Sequence, residues 1–192
     1  MKEFRRKFVK EYLAEIKELL TSREADLVEK IDKLADILNT ARKNKNTVFL
    51  MGNGGSAATA SHVAIDIAKC TIAEGRPRFK VIALTDSIPG MLAWANDASF
   101  EDIFIEQLKN LMEPGDVIIG ISGSGNSMNV IKAIEYANGN GGITAGLSGY
   151  DGGKLRRCAQ INIHIPTNHM QRAEDIHVLV LHLLACLLRD EK

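Results

Sequence analysis

Short apolar runs that alternate with longer helical patterns from Thr47 onward are the feature that most constrains this fold. The apolar runs lie at residues 48–51, 81–85, 117–122, 143–148 and 161–165, and helical patterns fill about 57–70, 88–110 and 127–138. Continuous apolar strands that are separated by helices are typical of a parallel sheet covered on both faces. We therefore predict an α/β fold with a doubly wound, five-stranded parallel sheet.

Helical regions are predicted at both ends of this core. Residues 1–45 carry apolar side chains at helix spacing, and Thr21 with Glu24 resembles a capping box, so we predict a hairpin of two helices there. Its apolar stripe favours burial at a subunit interface over burial on its own domain. The last segment, about 171–189, is apolar nearly all round, which is typical of a buried helix. The 192 residues suit one domain, with the helices at 1–45 and the α/β core at 46–192.

Charge and cysteine content limit the classes of partner. The chain has 24 basic and 24 acidic residues, and it lacks the basic stripe of a nucleic-acid-binding protein. No apolar run is long enough to span a bilayer, and the first residues lack the apolar segment of a signal peptide. Cys70, Cys158 and Cys186 are far apart and odd in number, so we expect reduced core thiols. These features predict a cytoplasmic protein with neither nucleic acid nor membrane as partner.

Two loops rich in glycine and serine each follow a predicted strand and precede a predicted helix. Their sequences are Gly-Asn-Gly-Gly-Ser at 52–56 and Ser-Gly-Ser-Gly-Asn-Ser at 122–127. In a parallel sheet both lie at the carboxyl ends of strands, where ligands bind, and helix N-termini with serine hydroxyls favour an anion. Neither loop has the lysine of a nucleotide-binding loop, and the first lacks the glycine spacing of a dinucleotide site. The pair predicts a site for a small monophosphate. The alternative is two tight turns in which serine caps a helix.

Ionisable side chains interrupt two apolar helical patterns. His62 and Asp66 are four residues apart and share a helix face, while Glu174, His177 and His182 occur in the last helix. Because an unpaired buried charge is costly, we expect these groups to pair with each other, with a ligand or with a metal. Carboxylate and imidazole groups suit acid–base catalysis, and they also suit zinc. Glu174 and His182 are about 12 Å apart along a helix, so Glu174 with His177 is the easier pair. A lone helical histidine is more often a core residue.

On these residues the chain resembles the sugar isomerase (SIS) domain family over nearly its whole length. The segments that carry the likeness are 52–56 with His62, Asn96-Asp97, 120–127, 149–154, and Ile176-His177 with His182. The histidine framework indicates the branch that isomerises heptose phosphates. The resemblance implies conversion of sedoheptulose 7-phosphate to D-glycero-D-manno-heptose 7-phosphate through an enediol. It also implies a homotetramer with active sites between subunits.

The resemblance further implies roles for individual residues. The residues that would hold the phosphate are Ser122, Ser124 and Ser127, with Ser56 adding a hydroxyl, and Gly123 would also bind the substrate. The residues that would line the sugar are Asn53, Gly54, Gly55, Asn96 and Asp97, and Asp66 and Glu174 would also bind the substrate. The family's catalytic groups fall on Asp66 and His182. Its zinc ligands, one ion per subunit, fall on His62, Asp66, Glu174 and His182.

Four positions depart from the family's usual pattern. Asp66 stands where Glu is usual, Glu174 where Gln is usual, Cys70 in place of Arg, and Gln171 in place of Asp. The shorter Asp66 side chain changes the reach of the base to the substrate. These departures concern the identity of the sugar more than the class of reaction.

The implied chemistry is a proton transfer. One of Asp66 and His182 would remove a proton from the carbon beside the carbonyl, and the other would move a proton between the two oxygens. A metal would polarise those oxygens. A carboxylate held tightly by a metal is a poor base, so Asp66 does not fill both roles fully. The alternatives are an isomerase for another sugar phosphate, or a non-catalytic SIS-domain protein that senses sugar phosphates or binds a replication initiator.

Overall fold

A wholly parallel five-stranded sheet with helices on both faces forms the centre of the molecule. The computed structural model describes residues 1–191. The strands are β1 (Thr47–Gly52), β2 (Lys80–Ala83), β3 (Val117–Ser122), β4 (Ile143–Ser148) and β5 (Ile161–His164). Their order in the sheet is β2-β1-β3-β4-β5. This topology confirms the predicted α/β class and the doubly wound sheet.

The helices alternate with these strands along the chain. They are α1 (Lys2–Asn44), α2 (Gly55–Ile65), α3 (Ile88–Asp97), α4 (Ile105–Leu111), α5 (Met128–Gly139), α6 (Leu155–Cys158) and α7 (Met170–Asp190). A π-helical turn, Asp66–Cys70, continues α2. One apolar core joins α1, α2 and α7 to one face of the sheet, and a second joins α4 and α5 to the other face. The strands β1, β3, β4 and β5 are thus covered on both faces, whereas the edge strand β2 leaves Ile82 39% exposed.

The register of the central strands aligns their carboxyl ends. Gly52 of β1 lies beside Ile121 of β3, and Ser122 of β3 lies beside Ser148 of β4. The segments that follow β1, β3 and β4 therefore emerge next to one another at one edge of the sheet. This is the position at which open α/β sheets bind ligands.

The predicted helical hairpin at the N-terminus is wrong, because residues 2–44 form one continuous helix. Thr21 does not cap a second helix. Its hydroxyl donates to the Lys17 carbonyl oxygen one turn earlier, at 2.9 Å. The segment contains neither glycine nor proline to interrupt it. The helix ends at Lys45, which is left-handed (φ 63°) and donates its N–H to the last carbonyls, as in a common C-terminal cap.

Two further expectations about helices also need correction. The pattern at 88–110 is not one helix but α3, a 3-10 turn at Phe100–Asp102 and α4. Ser99 breaks it by adopting an extended backbone, and its hydroxyl accepts from the Glu101 N–H at 3.2 Å. The last helix, α7, is not buried all round, since Leu179 and Leu183 remain 40% and 45% exposed.

The cysteines also differ from the expected core thiols. Cys70 and Cys186 are exposed, and Cys158 is half-buried, where burial raises its pKa. The expectation of a core position is therefore wrong for Cys70 and Cys186. Within residues 1–191, no helix has both the length and the hydropathy needed to cross a membrane.

Candidate active site

The serine loop, residues 122–127, connects β3 to α5. The Ser122 and Ser127 hydroxyl oxygens lie 3.0 Å apart, and the Ser124 hydroxyl accepts from the Asn126 N–H at 3.1 Å. Ser127 occupies the N-cap position of α5, yet its side chain makes no capping hydrogen bond. The first turn of α5 therefore keeps donor groups available for an anion. This arrangement favours the phosphate-site interpretation over serine capping.

A second glycine-rich segment, residues 149–154, fixes the backbone of the serine loop. The Gly149 N–H donates to the Gly123 carbonyl oxygen at 2.8 Å, and the Leu155 N–H donates to that of Gly125 at 2.9 Å. Gly125 is left-handed (φ 67°), and a Cβ there would lie 2.1 Å from the Gly152 carbonyl oxygen. Only glycine fits such an approach. The two segments therefore hold each other's backbone in place through these hydrogen bonds and this close contact.

An amide pair joins the glycine loop, residues 52–56, to α5. The Asn53 and Asn129 side chains each donate to the other's carbonyl oxygen at 2.9 Å. Asn129 is buried, and its carbonyl oxygen also accepts from the Val130 N–H at 2.9 Å. The sequence patterns did not identify Asn129 as a site residue. The signal in the sequence that could have identified it is its polar side chain, which comes directly before the apolar residues of α5.

His62, Asp66 and His182 come together where α2 and α7 pack side by side. The His62 and His182 Nε2 atoms lie 3.5 and 3.6 Å from the same Asp66 carboxylate oxygen, and the ring centroids are 4.9 Å apart. One donor atom from each residue lies within 4.8 Å of the others. Asp66 is the first residue of the π-helical turn, a feature that often marks functional sites. The expectation that these histidines are buried is wrong, because their side chains are 56% and 42% exposed.

Glu174 lies apart from this three-residue cluster. Its carboxylate oxygen would be 3.3 Å from a Cβ at Gly55, so it faces the first turn of α2. The positive end of a helix dipole stabilises a carboxylate there. Asn96 and Asp97 lie exposed at the end of α3, where the Asn96 amide donates to the Asp97 carboxylate at 2.7 Å.

His177 is buried in α7, but it does not find the partner that we expected. Neither of its ring nitrogens has a hydrogen-bond partner within residues 1–191. Burial lowers its pKa to about 4, outweighing the nearby Ser148 backbone, which favours the charged form. His164 is also buried, and burial lowers its pKa although its Nε2 lies 2.9 Å from the Tyr150 carbonyl oxygen. His177 is thus a neutral core residue.

Comparison with known protein families agrees with this geometry. The model of the SIS domain matches residues 11–149, which include the glycine loop, the serine loop, His62 and Asp66. The chain belongs to the SIS domain family. The resemblance found in the sequence is thereby confirmed.

Relatives within this family are similar over nearly the full chain. A phosphoheptose isomerase from Trichlorobacter lovleyi is 40% identical over 190 residues, covering 99% of this chain and 94% of the relative. One from Aquifex aeolicus is 40% identical over 162 residues, covering 84% of each. The solved structure of the phosphoheptose isomerase GmhA from Neisseria gonorrhoeae has a TM-score of 0.88 at 29% identity, covering 97% of this chain and 99% of that one.

Proposed function

We propose that this protein is an aldose–ketose isomerase for a sugar phosphate, with sedoheptulose 7-phosphate as the substrate and D-glycero-D-manno-heptose 7-phosphate as the product. The observation that carries the proposal is the cluster of His62, Asp66 and His182, whose donor atoms lie within 4.8 Å of one another. The relatives named phosphoheptose isomerase support the choice of substrate. In this proposal the whole chain is a single SIS domain that acts in heptose biosynthesis in the cytoplasm.

The phosphate group is assigned to the serine loop. Ser122, Ser124 and Ser127 offer hydroxyls beside the uncapped N-terminus of α5, and Ser56 adds a hydroxyl from the adjacent glycine loop. Neither loop contains a charged residue, but a carboxylate lies beside the glycine loop. The Glu174 carboxylate already lies against the first turn of α2, which makes the glycine loop a poor place for a second anion. The glycine loop is therefore assigned to the sugar hydroxyls, through residues 53–55 and Glu174.

The proton transfer is assigned to Asp66 and His182. A ketose phosphate becomes an aldose phosphate when a proton leaves carbon 1, an enediol forms, and a proton returns to carbon 2. One of the two side chains removes the carbon-bound proton, and the other carries a proton between the oxygens on carbons 1 and 2. A carboxylate and an imidazole 3.6 Å apart can divide these tasks near neutral pH. Asn96 and Asp97 are assigned to sugar hydroxyls.

The same cluster fits a zinc ion. Two imidazole nitrogens and one carboxylate oxygen within 4.8 Å are the donor types of catalytic zinc sites, which keep one position open for substrate. His62, Asp66 and His182 would hold the ion. The family pattern suggests Glu174 as a further ligand, but in one chain its carboxylate faces Gly55 and lies outside this cluster. A bound zinc would polarise the carbonyl and hydroxyl oxygens of the sugar.

A homotetramer with active sites between subunits is part of the proposal. In one chain, Asp66 lies eleven residues beyond Gly55, about 16 Å along the helix, so the cluster is distant from the loops at the sheet edge. This separation supports a site that is completed by a neighbouring subunit. An apolar groove between α1 and α7, with a volume of about 470 Å³, supports the assembly. The side chains that line it include Leu20, Leu27, Val28, Ile31, Leu179, Leu183 and Leu187.

The experiment that tests the proposal compares His182→Gln with His169→Gln. His169 is an exposed histidine outside the cluster, so it serves as a matched control. His182→Gln should reduce kcat by about 10²–10⁴-fold, the usual contribution of an acid–base group, while His169→Gln should retain kcat. Turnover and melting temperature are measured on the same preparations. Preserved turnover with lowered stability in His182→Gln would show a structural histidine and reject the assignment.

A further inference from the structure

The serine loop lacks a cation of its own. Residues 122–127 contain only serine, glycine and asparagine, so their donors are neutral. A phosphate monoester carries more than one negative charge near neutral pH, and the end of a helix dipole offers only about half a positive charge. Hydrogen bonds to an anion are stronger when the donor is itself charged. A cation held beside the loop would therefore change its affinity for phosphate.

Lys154 is held beside the serine loop by its backbone. Its N–H donates to the Asn126 side-chain oxygen at 3.1 Å, and the next N–H, from Leu155, donates to the Gly125 carbonyl oxygen at 2.9 Å. The preceding residue, Gly153, packs so closely that a Cβ there would lie 2.5 Å from the Gly125 carbonyl oxygen. The backbone of Lys154 is thus fixed relative to the loop on both sides.

The side chain of Lys154 extends to the start of α5. Its Nζ lies 3.9 Å from the sulfur of Met128, the first residue of that helix. A thioether is a weak acceptor and does not neutralise an ammonium group. The Lys154 ammonium group therefore lies beside the side chain of the first residue of α5, the helix that follows the serine loop.

Among residues 1–191, no carboxylate lies within ion-pair distance of this ammonium group. Of the ion pairs formed among residues 1–191, none includes Lys154. Lys132, farther along α5, is already paired with Glu101 and Asp102 at 3.0 and 2.9 Å. Arg156, on α6, donates to the Asp151 carbonyl oxygen at 3.4 Å. Within residues 1–191 the Lys154 ammonium group has no ion-pair partner and contacts only the Met128 sulfur, so it is available to a ligand at this loop.

We propose that Lys154 binds the phosphate group of the substrate through its ammonium group. This inference rests on the proposed function, in which the serine loop is the phosphate site. Together with Glu174 at the glycine loop, Lys154 gives the site a positive and a negative end. The phosphate is directed to the α5 end and the uncharged sugar to the α2 end, so the substrate binds in one orientation.

The test measures binding of inorganic phosphate by calorimetry and its inhibition of turnover. Lys154→Met keeps the apolar stem and removes the charge, and Lys154→Arg keeps the charge. Because a charge-assisted hydrogen bond contributes about 1.5–3 kcal/mol, Lys154→Met should weaken phosphate binding roughly 10- to 100-fold. KM for the sugar phosphate should rise by a similar factor with kcat nearly unchanged, since the contact is equal in ground and transition states. Lys154→Arg should bind phosphate much as the unaltered protein does.

The matched control is Arg157→Met, which removes an exposed cation from the same short helix. Equal phosphate affinity in Lys154→Met and the unaltered protein would overturn the inference, as would an equal loss in Arg157→Met. The two proposals fail differently. If phosphate binds through Lys154 but no ketose phosphate is isomerised, the inference stands and the proposed function falls. If turnover is present and Lys154→Met leaves the phosphate inhibition constant unchanged, the function stands and the inference falls.

Discussion

Acidification should destabilise the fold through His177, because this residue is buried as a neutral ring. Its pKa is lowered from 6.5 to about 4, mainly by burial. The unfolded state therefore binds the proton more readily, and stability is lost as pH falls from 6.5 toward 4. The shift corresponds to a loss in unfolding free energy of about 2 kcal/mol by pH 5 and about 3 kcal/mol by pH 4.

The assay is urea unfolding of the unaltered protein and of His177→Leu at pH 7, 6, 5 and 4. Carboxylates and the neighbouring His164 also titrate in this range, but they remain in both proteins. The difference in unfolding free energy between the two proteins therefore reports on His177. We expect His177→Leu to gain about 3 kcal/mol relative to the unaltered protein between pH 7 and pH 4. A difference that does not change with pH would show that His177 is solvated or paired, and would refute the reasoning.

Four further predictions concern the loops and the assembly. Ser124→Ala combined with Ser127→Ala should weaken sugar-phosphate binding by a few kcal/mol, measured by calorimetry, because charge-assisted hydrogen bonds are lost. Gly125→Ala should lower the melting temperature and abolish phosphate binding, because its Cβ would meet the Gly152 carbonyl oxygen at 2.1 Å. Glu174→Gln should cost about 0.3–1 kcal/mol in urea unfolding, because a carboxylate leaves the positive end of α2, and unchanged stability would contradict that contact. Light scattering at micromolar concentration should give the mass of a tetramer, and a monomer mass would reject the assembly.

Most of the sheet could be predicted from the sequence because β1, β3, β4 and β5 are buried on both faces, whereas the edge strand β2 is partly exposed. Such strands appear as continuous apolar runs, and all five were found in chain order. The ends of the helices were harder to predict, because a local capping pattern in the sequence does not decide whether a long, well-packed helix continues through it. Thr21 satisfies the pattern of a capping residue, but in the structure it donates back to the Lys17 carbonyl oxygen within one continuous helix. Ser99, inside the pattern at 88–110, does end α3 by accepting a hydrogen bond from the Glu101 N–H.

The site was only partly predictable, because burial depends on packing between distant segments. The spacing of His62 and Asp66 predicted a shared helix face, and His182 does join them. Sequence could not show that these histidines are half exposed whereas His177 is fully buried. For His177 and His182, which both lie in α7, that difference depends on which side of the helix faces the sheet. Asn129 and Lys154 were not recognised because each acquires its role only when the loops after β1, β3 and β4 meet.

The central claim is that the protein moves a proton between neighbouring carbons of a sugar phosphate. The most direct measurement is to incubate the protein with sedoheptulose 7-phosphate in heavy water and to follow the products by NMR. An enediol route predicts an aldose phosphate that carries deuterium on carbon 2, formed by the unaltered protein and about 10²–10⁴-fold more slowly by His182→Gln. No aldose phosphate from this substrate or from a panel of other ketose phosphates would contradict the account.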